Sequence, residues 1–140
     1  MNFWLIKQEP TKYKWEQLVA DKETSWDGVR NYQARNNLKA MKKGDLLLFY
    51  HSVVGKEIKG IAVVSREFYP DPTTTDPRWV VVNVKPVKKL SIPVILEDIK
   101  NHRRLKNIPL IKQSRLSVLP LTADEFKTIL EMGNTRLEGD

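Results

Sequence analysis

The stretch Ser25-Trp-Asp-Gly-Val-Arg-Asn-Tyr-Gln-Ala-Arg-Asn36 combines an aromatic side chain, a glycine turn and the polar, arginine-bearing start of a helix. Glycine lets the backbone turn sharply and approach a ligand closely. Tryptophan offers a face for stacking, and arginine and asparagine offer donors to an oxygen-rich partner. The stretch has no metal-ligand spacing and no nucleophile beside a base. These residue types therefore favour a binding pocket over a catalytic centre.

The sequence on either side of this stretch predicts strands separated by short helices. We predict strands over residues 2–6, 45–51, 59–68, 79–89 and 117–120, helices over 14–20, 31–41 and about 96–100, and a surface loop over 69–77. Thr122-Ala-Asp-Glu125 is a capping box that opens a last helix to about residue 132. Pro86 is expected to turn the end of its strand into a sheet edge. This pattern indicates an α+β fold, a small mixed barrel or curled sheet with short flanking helices.

The positive charge of the chain is unevenly distributed. The formal net charge is +7, but residues 1–120 hold 22 Lys and Arg against 12 Asp and Glu, whereas residues 121–140 hold 2 against 5. A basic surface attracts polyanions and speeds their encounter with the protein. Together with the aromatic residues, this charge makes nucleic acid the expected partner, although many small basic proteins have no such partner.

Composition limits the class of protein. A length of 140 residues with 41% hydrophobic and 29% charged residues fits one folded domain. The chain has no cysteine and two isolated histidines, His51 and His102, so we expect no disulfide, no metal and no cofactor. The first residues lack the features of a signal peptide, and no apolar run is long enough to cross a membrane. We therefore expect a cytoplasmic protein without membrane contact, and the oligomeric state stays open.

A series of short motifs resembles the EVE domain family. In chain order they are Trp4-Leu-Ile-Lys-Gln-Glu-Pro10, Trp26-Asp-Gly-Val-Arg-Asn31, Gln33-Ala-Arg-Asn36, Met41-Lys-Lys-Gly-Asp45, Phe49-Tyr-His-Ser52, Tyr69-Pro-Asp71 and Arg115-Leu-Ser-Val118. The resemblance implies a single domain over residues 1–140 with a PUA-like fold related to the YTH and ASCH domains. It also implies a pocket that receives a flipped, modified base of DNA or RNA. The family usually has serine at the position of Gln8, so the edge of the pocket is expected to differ there.

A pocket for a flipped base needs an aromatic face and hydrogen-bonding side chains. Stacking on an aromatic ring restores part of the few kcal/mol that a base loses on leaving its neighbours. Trp26 is the first candidate because it lies in a turn, although a core position is the alternative for this tryptophan. The polar candidates and the resemblance together give the predicted base pocket: Gln8, Trp26, Gly28, Val29, Asn31, Tyr50, His51, Ser52 and Ser117. Of these, His51 is either a pocket donor or a buried core histidine.

Cationic side chains are the candidates for phosphate contacts. The densest basic run, residues 100–112, holds five cations and could follow a phosphate backbone, although a solvated loop is the simpler explanation. The predicted phosphate-binding residues are Lys7, Arg30, Arg35, Arg103, Arg104 and Arg115. Arg35 could instead be a structural group at the start of a helix. Arg115 is included because it matches the family's motif.

Two other functions are compatible with the sequence. The related ASCH group includes hydrolases of modified nucleosides, and Lys7, Glu9 and His51 could converge to activate water, although nothing in their spacing requires it. A protein-interaction module whose pocket no longer binds a base is the third possibility. We predict a non-catalytic reader of a modified base. The choice between DNA and RNA, the modification and any catalytic activity stay open.

Overall fold

The computed structural model describes residues 1–137, and this part of the chain contains six strands and five helices. The strands are β1 (Phe3–Gln8), β2 (Thr24–Ser25), β3 (Leu46–His51), β4 (Glu57–Pro70), β5 (Val80–Ile95) and β6 (Val118–Leu121). The helices are α1 (Trp15–Asp21), α2 (Tyr32–Ala40), α3 (Leu96–Asn101), α4 (Pro109–Lys112) and α5 (Ala123–Met132), with a 3-10 turn at Arg103–Leu105. The single domain over residues 1–140 stays a prediction, and its last three residues lie outside the described part.

The six strands form one sheet in the order β2-β5-β4-β3-β1-β6. β1 pairs in parallel with β3, and every other pairing is antiparallel. The side chains of Leu5, Ile6, Leu48 and Phe49 are fully buried, because these two strands are covered on both faces. Parallel strands end at the same edge of a sheet, so Gln8 at the end of β1 pairs with His51 at the end of β3. The predicted central strand is confirmed.

The sheet is strongly curled. β1 and β2 stand four places apart in the strand order, a separation of about 19 Å in a flat sheet. Residues of both strands nevertheless line one cavity, which a flat sheet would not allow. Within residues 1–137 the edge strands β2 and β6 are not hydrogen-bonded to each other, so the sheet stays open. The predicted α+β fold with a curled sheet and short flanking helices is confirmed.

One strand was not predicted, and β4 and β5 are longer than their predicted bounds, with β4 continuing to Pro70 into the predicted loop. β2 has only two residues, too few for a sequence pattern, and it was not predicted. β5 continues to Ile95, past Pro86, because the β4–β5 register shifts beside the proline, between Ile61 and Ala62. A bulge of this kind tolerates a residue without an N–H. The predicted edge is present, since β2 pairs only with Asn83 and Val84 of β5.

Four helices of residues 1–137, α1, α2, α3 and α5, agree closely with their predicted bounds, whereas α4 was not predicted. α2 begins after Asn31, whose Oδ1 accepts a hydrogen bond from the Ala34 N–H at 2.9 Å. α5 begins with the predicted capping box, in which Thr122 and Glu125 exchange hydrogen bonds. No helix in this part of the chain is both long and apolar enough to cross a membrane.

Helix α1 lies against β4 at the one position where the strand has no side chain. Trp15 is buried, and a Cβ atom added to Gly60 would stand 2.5 Å from Cζ2 of the Trp15 ring. Glycine is therefore required here by the close approach of the ring. This contact fixes the distance between α1 and the sheet.

Replacing Gly60 with alanine is expected to destabilise the fold by about 1–3 kcal/mol, since the added methyl group overlaps the Trp15 ring. Urea denaturation would measure the loss. In Gly60→Ala combined with Trp15→Leu, the smaller side chain makes room for the methyl group, so the combined loss is expected to be smaller than the sum of the single losses. Strictly additive losses would contradict this contact.

His51 caps helix α1 from a distance in sequence. Lys14, the residue before the helix, makes no side-chain cap, and the Nε2 atom of His51 accepts a hydrogen bond from the Trp15 N–H at 3.0 Å. Only a neutral imidazole can accept this bond. Burial and the nearby charge of Lys59 lower the pKa of His51, against the opposing effect of Glu16 and Glu57. Of the two alternatives for His51, the core position is the one that the structure describes.

The cap predicts a pH dependence of stability. The pKa of a histidine in an unfolded chain is about 6.5, and the pKa of His51 in the folded protein is lower. The unfolded chain therefore binds the proton more readily. The contribution of His51 is therefore complete above about pH 6.5 and is lost as the pH falls toward the folded pKa. We expect His51→Gln, which keeps an acceptor but does not titrate, to flatten this part of a denaturation series from pH 8 to 5. An unchanged slope would contradict the cap.

Candidate nucleic-acid interface

A cavity of about 550 Å³ opens where β1 ends beside β2. Its wall consists of residues 7–8 at the end of β1, residues 12–13 before α1, residues 24–30, and Ser117 just before β6. This volume lies within the range of about 300–1,000 Å³ that is typical of small-molecule sites. The cavity therefore has the size of a binding site, and residues 25–30 form much of its wall.

Trp26 belongs both to the core and to the cavity wall. Its side chain is 4% exposed, and its ring packs edgewise against Phe49 at 5.5 Å and against Tyr13 at 6.2 Å between ring centroids. The backbone N–H of Trp26 donates to the carbonyl of Val82, which attaches this wall to β5. A ligand in the cavity would meet a narrow, rigidly held part of the indole.

A buried carboxylate, Asp71, holds the turn that follows Trp26. One oxygen of Asp71 accepts from the Gly28 N–H at 3.1 Å and from Nη1 of Arg30 at 3.0 Å, and the other accepts from the backbone and hydroxyl of Thr73. Gly28 has a φ of +78°, a conformation that glycine adopts most easily. Burial alone would raise the pKa of Asp71, but these hydrogen bonds outweigh it and lower the pKa to about 2. Asp71 is thus an anion that fixes the turn and Arg30.

Three cations and one exposed carboxylate surround the opening of the cavity. Lys7 is half-buried, its Nζ donates to the carbonyl of Ser114 at 2.8 Å, and burial lowers its pKa. Lys12 is exposed and lies 3.7 Å from Glu9, while Arg30 is partly exposed. Asp27 supplies the negative charge of the wall. Among the lining side chains the cations outnumber the carboxylates by three to one, but Glu9 and Asp71, outside the wall, pair with Lys12 and Arg30 and offset their charges.

The structure brings together part of the predicted base pocket. Of the predicted residues, those that line the cavity are Lys7, Gln8, Trp26, Gly28, Val29, Arg30 and Ser117. The side chains of Tyr50 and His51 are buried in β3, where burial raises the pKa of Tyr50 to about 12. Ser52 does not line the cavity, but its N–H donates to the carbonyl of Gln8. Asn31 caps α2 and faces a second, polar groove.

Four predicted phosphate-binding arginines lie outside the cavity. Arg35 is on α2, where its guanidinium bonds to Asn36 and lies over the Tyr32 ring. Arg103 and Arg104 are exposed in the 3-10 turn. Arg115 lines the polar groove that also contains Asn31. Their contact with phosphate stays a prediction.

Several residues of the site were missed by reasoning from the sequence. Tyr13, Thr24 and Ser25 line the cavity, but Tyr13 lies in a connecting segment, and Thr24 and Ser25 form β2, which is too short for a sequence pattern. Asp71 had a local signal, because an aspartate that bonds the N–H two residues later forms an Asx-turn, here with Thr73. Its contact with Arg30, 41 residues away, has no such signal.

The three side chains considered for water activation have separate partners. Lys7 bonds to Ser114, Glu9 lies near Lys12, and Nε2 of His51 is used as an acceptor. Across residues 1–137 the histidine, aspartate and glutamate side chains form no group of three or more that could hold a metal ion.

Asp71→Asn is expected to destabilise the fold by about 3 kcal/mol at pH 7, because it removes the anion that Arg30 and the two N–H groups require. The folded pKa is about 2, below the ordinary value of about 4, so the charge stabilises the fold above about pH 4. The difference between variant and wild type should therefore shrink as the pH falls toward 2. Urea denaturation at pH 7 and at pH 3 measures it, with Asp76→Asn as the control. The pKa of Asp76 is also lowered to about 2, but its pair with Arg78 is more exposed, so water replaces part of what this variant loses. An equal loss in both variants would contradict the role of Asp71.

Comparison with known proteins shows what the chain is similar to. It is 38% identical to thymocyte nuclear protein 1 of Mus musculus over 96% of this chain and 74% of that protein. The crystal structure of protein Atu2648 from Agrobacterium tumefaciens has a TM-score of 0.94 and 41% identity, covering 96% of this chain and 94% of the other.

Two further structures were solved with nucleic acids. Human THYN1, in complex with 5-methylcytosine containing DNA, has a TM-score of 0.89 and 33% identity, covering 98% of this chain and 100% of the other. The YTH domain of Zygosaccharomyces rouxii MRB1, in complex with N6-methyladenosine RNA, has a TM-score of 0.62 and 16% identity, covering 98% and 88%, and shares the fold. The chain also matches the EVE domain over residues 2–132. It therefore belongs to the EVE domain family.

Proposed function

We propose that the chain binds nucleic acid that carries a modified base and holds this base in the cavity beside Trp26. The observation that carries the proposal is the complex of a relative with its ligand. Human THYN1 was solved with DNA that contains 5-methylcytosine, and its structure matches 98% of this chain at 33% identity. A pocket of fitting size lies where the most distinctive motif of the sequence folds.

The cavity wall contains the groups that a methylated base would use. The small accessible parts of Trp26 and Val29 give an apolar contact for a methyl group. Gln8 uses its Oε1 to accept from the Glu9 N–H, which leaves its amide NH₂ to donate to a base. Ser25, Thr24 and Ser117 add hydroxyl groups that donate or accept. Apolar and polar groups thus meet in one pocket, as recognition of a methylated base requires.

The cations at the opening would contact the phosphates on either side of the flipped nucleotide. Lys12 is exposed, and Arg30 is held in place by Asp71, so the guanidinium is oriented before a ligand arrives. A preorganised donor loses little conformational freedom on binding. Lys7 is the deepest of the three, and its ammonium group can donate two hydrogen bonds besides the one to Ser114.

Titration with matched strands tests the proposal. The strands are short DNA and RNA oligonucleotides with and without methylated bases, 5-methylcytosine first. We expect tighter binding to one modified strand than to its unmodified counterpart. Equal, salt-sensitive binding to all strands would contradict the proposal and leave a basic surface without a reading pocket.

Variants test whether the cavity is the site that binds the modified base. Ser25→Phe is expected to fill the cavity from an edge strand and to abolish the preference for the modified strand, whereas Ser91→Phe, on the exposed part of β5, should keep it. Lys12→Ala should weaken binding to all strands and reduce the salt slope by about 1, and Lys43→Ala, away from the cavity, should not. If Ser25→Phe keeps the preference, the base is bound elsewhere. Circular dichroism confirms that each variant is folded.

A further inference from the structure

A half-exposed aromatic ring lies next to the cavity, on the first residue of α2. Tyr32 is 51% exposed, whereas Trp79, whose ring centroid is 5.3 Å away, is buried. An exposed tyrosine on its own is common on protein surfaces. The surroundings of Tyr32 distinguish it, because three arginines lie close to it or to Trp79. They are Arg30 in the turn after Trp26, Arg35 on α2 and Arg78 in the loop before β5.

The Tyr32 ring is held in a fixed orientation. Nη1 of Arg78 donates to the Tyr32 hydroxyl at 2.9 Å, and Arg78 is itself held by Asp76 through Nε and Nη2. The Trp79 ring supports Tyr32 at an interplanar angle of 32°. A ring held in this way loses little rotamer entropy when a ligand stacks on it.

The positive charge of Arg35 is the least compensated beside this ring. Its guanidinium carbon lies 5.0 Å from the Tyr32 centroid, and its hydrogen bonds go to the neutral amide oxygen of Asn36. By contrast, Arg30 is paired with Asp71 and Arg78 with Asp76. A planar cation and an aromatic ring are both groups on which unpaired bases stack, and the cation also attracts the phosphate.

The ring and the cavity are connected through Arg30. Arg30 lines the cavity, and its guanidinium carbon lies 5.7 Å from the centroid of the Trp79 ring, which in turn supports Tyr32. Only Asn31 separates Arg30 from Tyr32 along the chain. A nucleotide next to one held in the cavity would therefore reach the exposed part of the ring.

We propose that Tyr32 and Arg35 form a stacking platform for the unpaired base that neighbours the base in the cavity. The partner is a single-stranded or locally opened segment of nucleic acid, recognised by its base faces and its phosphate rather than by its sequence. The placement of the neighbouring base rests on the function proposed above; the platform itself, an aromatic ring with an uncompensated cation, does not. It divides recognition in two, with the cavity reading the modified base and the platform holding the strand.

Two ligands of different length separate the platform from the cavity. The first probe is 5-methyl-deoxycytidine monophosphate, which can occupy only one of the two sites. The second is a five-nucleotide single strand with 5-methylcytosine at its centre, in DNA and RNA forms and with an unmodified counterpart. Tyr32→Ala and Arg35→Ala are the test variants. Phe68→Ala is the matched control, because Phe68 is also an exposed aromatic, 45% exposed with Lys39 5.5 Å from its centroid, but lies on β4.

We expect Tyr32→Ala to weaken binding of the five-nucleotide strand by roughly 5- to 150-fold, the range for one stacked base, and to leave the mononucleotide unchanged. Tyr32→Phe should keep most of the affinity, since the ring remains. Unchanged binding of the strand in Tyr32→Ala would overturn the platform. It would also be overturned if Tyr32→Ala weakened the mononucleotide as much as the strand, or if Phe68→Ala weakened the strand as much as Tyr32→Ala. If the strand is bound without preference for its modified base and Tyr32→Ala still weakens it, the platform stands and the proposed function falls.

Discussion

The buried carboxylate of Asp71 is the constraint on which the shape of the cavity depends. A carboxylate without water is costly unless donors surround it, and Asp71 has two backbone N–H groups, a hydroxyl and a guanidinium. These donors come from the turn after Trp26 and from the loop after β4, two segments that are far apart in sequence. Because one anion satisfies both, the turn, the loop and Arg30 adopt their positions together. Arg30, which lines the cavity, is thus held by a buried residue that does not line it.

Reasoning from the sequence located most of the strands and helices, because apolar runs, the cap at Asn31 and the capping box at Thr122 are local signals. It also located the turn at Gly28, which needs a residue that tolerates a positive φ. What it missed depends on contacts between distant residues. The role of His51 as a cap for α1 follows from the pairing of β3 with β1, the strand before α1, and not from its neighbours in sequence. The family resemblance supplied the expectation of a base pocket, which residue patterns alone made plausible but did not define.

The candidate site was predicted in part for the same reason. Lys7, Gln8, Trp26, Gly28, Val29, Arg30 and Ser117 meet in one cavity, although Ser117 is more than one hundred residues from Lys7 in the chain. For Trp26 the sequence offered a core position or a stacking position; the structure shows a core position at the cavity wall, and stacking stays a prediction. Its ring supports Phe49 on one side and borders the cavity on the other. A ligand there would rest directly on the hydrophobic core, so its binding should also raise the stability of the fold.

The position of β1 in the sheet has a consequence for how the protein is made. β1 pairs with β3 and with β6, and in the second pairing Phe3 is opposite Leu121. During synthesis β1 emerges before β6, so it must wait for β6 before both of its edges are covered. Until then a hydrophobic strand with an open edge is available to other chains, which makes newly synthesised molecules prone to aggregation. The same long-range pairing gives a high contact order, which slows folding relative to a helical domain of similar length.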